Sequence, residues 1–137
     1  MTNIIPTFKY RNAPKMIDWL CRAFGFEKHA VYADGDVVHH AQLVFGTGMI
    51  MLGSAGASDF DALLAPPAPG KPVTQSIYVV VPDADAHHAR AVAAGAEIAR
   101  PLVDADYGGR GYSCRDPEGH VWSFGTYDPW KPEKSDR

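Results

Sequence analysis

The chain is short of the residues that announce a staple, a membrane span or a polyanionic partner. Its 137 residues hold two cysteines, Cys21 and Cys114, 93 positions apart and in no C-x-x-C pair. This excludes a disulfide framework or a cysteine zinc module and reads as two small core residues in a reducing compartment. No stretch approaches the ~18 consecutive apolar residues of a membrane span, so no membrane partner is expected. The opening MTNIIPTFKY lacks the basic start, apolar stretch and cleavage site of a secretory signal, and a cytoplasmic location is expected. Basic charge is scarce as well. Thirteen Lys and Arg stand against sixteen Asp and Glu, a net charge of −3. Nucleic acid is not expected as a partner, because phosphates demand a basic face. The six histidines form no H-x-x-x-H or H-x-H motif. His39 and His40 are adjacent in a strand pattern and must face opposite ways, and His87 and His88 on a helix have no partner four residues on. No metal site or cofactor is expected.

What is present is a pattern that occurs twice. Ile4–Tyr10 reads as a strand. Asn12 then caps a helix with Pro14 in its first turn; Met16, Ile17, Leu20, Ala23 and Phe24 recur at helical spacing, and Gly25 stops it. Strands follow at Glu27–Ala33, Val37–Phe45 and Met49–Leu52, with turns at Asp34-Gly35 and Gly46-Thr47-Gly48. The second occurrence opens with the β-branched strand Gln75–Val81. Asp83 caps an alanine-rich helix from Ala84 to about Ala94, which Gly95 ends, and strands follow at Glu97–Pro101, Arg110–Cys114 and His120–Thr126. Asn12 and Asp83 are 71 positions apart, a period that reads as two modules building one structure. The expected division is module one over 3–53, a linker over 54–73 with a helical turn at Asp59–Leu64, module two over 74–130, and a frayed polar tail over 131–137.

Three segments carry a family resemblance: Ala23-Phe24-Gly25-Phe26-Glu27, Asp83-Ala84-Asp85, and Asp116-Pro117-Glu118-Gly119-His120. In this order and spacing, over roughly residues 3–130, they resemble the glyoxalase/bleomycin-resistance/extradiol-dioxygenase superfamily, the vicinal-oxygen-chelate proteins. The run Tyr107-Gly108-Gly109-Arg110-Gly111-Tyr112, leading into Arg115-Asp116-Pro117, is most similar to the bleomycin-resistance-like and glyoxalase-like branches. The resemblance implies an α+β fold of two βαβββ modules forming a curved mixed sheet of half-barrels. It also implies a homodimer with cavities at the module or subunit interface.

Enzymes of that superfamily place one metal ligand, usually His or Glu, on each of four strands. Carried over, the positions are Ile5 and Ser76, each seven residues before a helix cap, and Met51 and Ser123 on the last strand of each module. Two apolar groups and two neutral hydroxyls do not hold a divalent cation against water. A slip of one position changes nothing, since among the neighbours only Gln75 could coordinate.

Strand alternation then sets the expected cavity. Thr7 and Lys9 share a face with Ile5, while Ile4, Phe8 and Tyr10 face the helix. Met49 and Met51 extend that inner surface, as do Ser76, Tyr78, Val80, Ser123 and Tyr127. His40 and Gln42 share a strand face, toward either ligand or solvent. Tyr107, Tyr112 and Trp130 supply aromatic surface, and Tyr107 and Trp130 are placed at a cavity mouth or a subunit contact; Trp19 and Trp122 are read as core. Arg110 could fork onto a ligand carboxylate or carbonyl, or pair with Asp104 or Asp106. These features suit a protein that binds or sequesters a planar, antibiotic-like organic compound. The alternative is a metal-dependent lyase, isomerase or dioxygenase, which needs ligands these positions do not supply.

Overall fold

Asn12 begins the first helix as its residue type demands: its side chain accepts a hydrogen bond from the Lys15 amide at 3.3 Å. Helix α1 (Ala13–Phe24) ends where Gly25 turns left-handed, at φ 91°, and returns its N–H to the Cys21 carbonyl. The computed structural model describes residues 2–131, so residues 132–137 of the expected polar tail lie outside the described residues. The chain divides into two compact units between Pro69 and Gly70.

In the first unit, strands β1 (Thr7–Tyr10), β2 (Glu27–Asp34), β3 (Val37–Phe45) and β4 (Gly48–Ser54) form one sheet in the order β1-β4-β3-β2. Strand β1 runs parallel to β4, and the other pairs are antiparallel. Alternation sorts the faces. Phe8, Tyr10, Ala41, Leu43, Ile50 and Leu52 are buried, as are Met16, Ile17, Leu20 and Phe24 of α1, which packs on this sheet. Each large side chain so buried stabilises the unit by roughly 1.5–3 kcal/mol. The opposite face carries Thr7, Met49, Met51 and Gln42, all less buried.

The second unit repeats the plan with β5 (Ser76–Val80), α2 (Ala84–Ala93), β6 (Glu97–Asp104), β7 (Arg110–Arg115) and β8 (Val121–Gly125), in the order β5-β8-β7-β6. The architecture is therefore α+β, two four-stranded mixed sheets each with one helix. Asp83 caps α2 by accepting from the Ala86 amide at 3.0 Å. Val81, Trp122, Phe124, Tyr112 and Cys114 form the buried face. Buried Asp116 organises the β7–β8 turn: Oδ1 accepts from the Glu118 and His120 amides, and Oδ2 accepts from the Trp122 indole N–H at 3.1 Å.

Three expectations need correction. Ile4 does not face the helix: β1 begins at Thr7, and Ile4 is 80% exposed. Pro6 has no N–H to extend the ladder, although its carbonyl accepts from Met51 at 2.9 Å. The helical turn is a 3-10 turn of Asp59–Ala62, capped by Ser58. Strand β6 continues past Pro101 to Asp104. It lies at the sheet edge, where a missing amide hydrogen is tolerated, and its register shifts on both sides of Arg100.

Candidate functional site

The face of the second sheet turned away from α2 is built in three cross-strand rows. Register pairs Glu97 with Arg115, Arg115 with Val121, and Val121 with Ser76. The middle row runs Arg100, Ser113, Ser123, Tyr78; the third runs Val103, Gly111, Gly125, Val80. Because Tyr112, Cys114, Trp122 and Phe124 are buried on the helix side, the residues between them must point the other way. Over the middle and third rows lies a cavity of about 350 Å³, walled by the loop that follows β6.

Chemistry at its floor is sparse and definite. The Ser113 and Ser123 hydroxyls are 2.7 Å apart, so one donates to the other and the acceptor keeps its own O–H for a ligand. The Tyr78 hydroxyl donates to the Tyr127 carbonyl at 2.6 Å. Its proton is held firmly: burial raises the phenol pKa, and Tyr107, Asp128 and Tyr127 push the same way. A Cβ on Gly125 would lie 2.8 Å from that hydroxyl, and one on Gly111 2.6 Å from the Phe124 carbonyl oxygen. Both glycines are therefore imposed by packing, and they leave a flat patch beside the serines.

The loop wall is equally constrained. Gly109 has φ +77°, and a Cβ there would meet the Tyr127 amide nitrogen at 2.6 Å. The Ala105 amide donates to the Gly109 carbonyl at 2.9 Å. Tyr107, 62% exposed, sets its ring edge-on to Tyr127 with centroids 4.9 Å apart. An aromatic side chain thus stands at the rim.

Of the residues singled out from sequence, Tyr78, Tyr107 and Ser123 line this cavity. Ser76 shares their face one row away. Arg110 and Tyr112 also border it, but their side chains run to the helix side. The Arg110 guanidinium engages both carboxylate oxygens of Asp85 at 3.2 Å and reaches Asp104 at 3.4 Å; those bonds raise its pKa further, Asp85 first. The Tyr112 hydroxyl lies 2.6 Å from His87 Nδ1, and burial lifts its pKa well above the usual phenol value. Trp130 is 93% exposed and does not line the cavity. Trp19 and Trp122 are core residues, at 4% and 0% exposure.

In the first unit, Thr7, Met51 and Gln42 form one cross-strand row. His40 Nε2 sits 2.9 Å from Gln42 Oε1, and Gln42 Nε2 is 2.9 Å from His29 Nδ1. Tyr32 stacks on His40 with centroids 6.1 Å apart. Lys9, on the Thr7 face, is buried under the segment after β4. Its ammonium donates to the Ser54 carbonyl and Ser58 hydroxyl and pairs with Asp61 at 3.5 Å. Both cysteines are free thiols; burial, aided by Asp116, pushes the Cys114 pKa up to about 12.

Sequence reasoning missed Arg100, Ser113 and His29. The alternation of Tyr112 and Cys114 with Gly111 and Ser113 is a usable signal for Ser113. Arg100 is hidden by the register shifts of β6.

The residues at the four carried-over ligand positions do not fit a divalent metal. Ile5 is aliphatic, Met51 offers a thioether opposite Thr7, Ser76 brings a neutral hydroxyl, and Ser123 is already bonded to Ser113. Among the described residues, no three His, Cys, Asp or Glu side chains gather into a metal-holding group.

Comparison with known proteins places the chain. The model of the Glyoxalase/Bleomycin resistance protein/Dioxygenase superfamily matches residues 8–124. The solved structure of TioX from Micromonospora sp. ML1 is similar at 35% identity and a TM-score of 0.72, over 91% of this chain and 98% of that one. The fosfomycin resistance protein FosX from Mesorhizobium loti superposes with a TM-score of 0.66 at 18% identity, over 95% of this chain and 97% of its own, a likeness of fold alone. Half of the chain is 36% identical to a candidate glyoxylase, CFP32, of Mycobacterium bovis and Mycobacterium tuberculosis. The matched segment spans about a quarter of those relatives, 26% of their length. With a family model fitting most of its length and a near full-length relative at 35% identity, this chain belongs to the glyoxalase/bleomycin resistance protein/dioxygenase superfamily.

Proposed function

We propose that this protein binds and sequesters a flat, antibiotic-like organic molecule without using a catalytic metal, and that it does so as a homodimer. The observation that carries the reading is the cavity on the open face of the second sheet. Its volume of about 350 Å³ falls within the roughly 300–1,000 Å³ of small-molecule sites. Its floor combines a glycine pair, a serine pair and the Tyr78 ring, and Tyr107 stands at the rim. A planar ligand can lie on the glycines, stack against tyrosine and take one serine O–H. Thr7, His40, Gln42 and Met51 are proposed as ligand contacts of the first unit's own open face, taken by itself. A neighbour of the same fold is named for fosfomycin resistance, in keeping with a drug-like ligand.

The test is a titration with a panel of planar antibiotics at micromolar concentration, following tryptophan fluorescence and the amide resonances of Ser113, Ser123 and Gly125. Saturable shifts at those amides are expected. If no compound moves them, the reading fails.

A metal-dependent lyase, isomerase or dioxygenase is the second reading, favoured by the family's description and by relatives named as glyoxylases. One stoichiometric divalent ion in elemental analysis of untagged protein would establish it over the first.

A further inference from the structure

The geometry points to an organic anion as the ligand of this cavity: we infer that a carboxylate is held between the Arg100 guanidinium and the Ser113–Ser123 hydroxyl pair, with the aromatic body lying toward Tyr78 and Tyr107. The inference rests on the cavity reading above and names the ligand's charge.

Arg100 stands opposite Ser113 in the ladder, and Ser113 opposite Ser123. One row across the sheet therefore presents a guanidinium and two hydroxyls on the face that bears the cavity. Among the described arginines Arg100 alone has no hydrogen-bond or ion-pair partner. Arg11 donates to Pro67, Arg110 holds Asp85 and Asp104, Arg115 faces Glu97 at 4.0 Å, and Arg22 and Arg90 are engaged as well. A planar fork of N–H donors beside a cavity matches the two oxygens of a carboxylate.

The remaining polar groups agree on orientation. Tyr78 spends its proton on Tyr127, so it offers a ligand only an acceptor. The serine pair has one O–H left to donate. Donors to an anion therefore cluster at Arg100 and the serines. Asp106 lines the cavity along the loop and disfavours an anion there, which directs the charged end toward β6. The register shifts on both sides of Arg100 re-aim this one edge-strand residue, a common use of bulges.

The probes are 2-naphthoate and its neutral amide, 2-naphthamide, titrated into the full chain with amide shifts as the readout. Naphthoate is expected to bind at least tenfold tighter than naphthamide. Arg100→Met and Arg100→Gln are expected to remove that preference, and Arg115→Met to keep it. Arg100 is exposed on an edge strand, so unchanged melting of the variants confirms that they are folded. Equal affinity for the two probes, or a preference that survives Arg100→Met, overturns the anion inference and leaves the cavity reading standing. If neither naphthoate, naphthamide nor any panel compound shifts the Ser113, Ser123 and Gly125 amides, both readings fall together.

Discussion

Gly125 and Tyr78 form a pair whose coupling can be measured. Tyr78→Phe removes the 2.6 Å hydrogen bond to the Tyr127 carbonyl. Such a bond contributes about 0.5–1.5 kcal/mol, and Tyr78 is 41% exposed, so water replaces part of it and the lower half of that range applies. Gly125→Ala adds a Cβ 2.8 Å from the Tyr78 hydroxyl and 3.3 Å from its Cε1. The hydroxyl must move, and moving it breaks the same hydrogen bond and tilts the ring, at a cost of about 1–2 kcal/mol. Opposing this, alanine narrows the unfolded chain's freedom by about 0.4–1 kcal/mol in its favour. With Phe at position 78 the clash with the hydroxyl is gone, and the 3.3 Å contact left at the ring edge asks the half-exposed ring to give by only a few tenths of an ångström. Gly125→Ala should then be nearly neutral. The double mutant is expected to lose about 1 kcal/mol less than the sum of the single losses, read from urea unfolding of all four proteins. Additivity within about 0.3 kcal/mol would refute the argument that the glycine exists to admit the tyrosine.

Asp116→Ala should cost about 2–4 kcal/mol in urea unfolding, because it leaves the buried Trp122 indole N–H and two turn amides without their acceptor; a loss below about 0.5 kcal/mol would show the carboxylate to be dispensable. Stability should also fall in alkali. Cys114, Tyr112 and Tyr78 all have folded pKa values raised above their unfolded ones, so the neutral forms favour folding. That contribution is complete below the unfolded thiol value near 9 and is lost as pH climbs toward about 12; a melting temperature flat across this window would contradict it. Over the lower part of the same range the Cys114 thiol should resist a disulfide reagent until the protein is unfolded, since little thiolate forms.

The fold was legible because local signals agreed at each level. Asn12 and Asp83 cap helices where their side chains can reach an amide three residues on. Gly25 and Gly95 end them with φ of 91° and 95°, and the spacing of Met16, Ile17, Leu20 and Phe24 puts all four in the core. Boundaries were less legible where proline intervened. Pro6 shortened β1 from the expected Ile4, whereas Pro101 failed to end β6. A proline removes one donor, and its effect depends on whether that donor faces a partner strand, which a single sequence does not display.

The site was legible only in part, for a related reason. Tyr78 and Ser123 followed from simple alternation, because β5 and β8 pair without a shift. The position of Arg110 after two glycines suggests a carboxylate-binding role. Its partners in the fold include Asp85, 25 residues away on α2, and no local pattern reveals a contact made across a sheet–helix layer. Arg100 illustrates the opposite failure. The Ile98/Arg100 and Arg100/Val103 shifts each break the period of two, so counting along β6 puts Arg100 on the wrong face and comes back into phase only at Val103. A bulge is readable only against the strand it pairs with. The residue caught between the two shifts, here an arginine with no hydrogen-bond or ion-pair partner among the described residues, is therefore one that counting along the sequence is poorly placed to find, and the proposal of an anionic ligand rests on it.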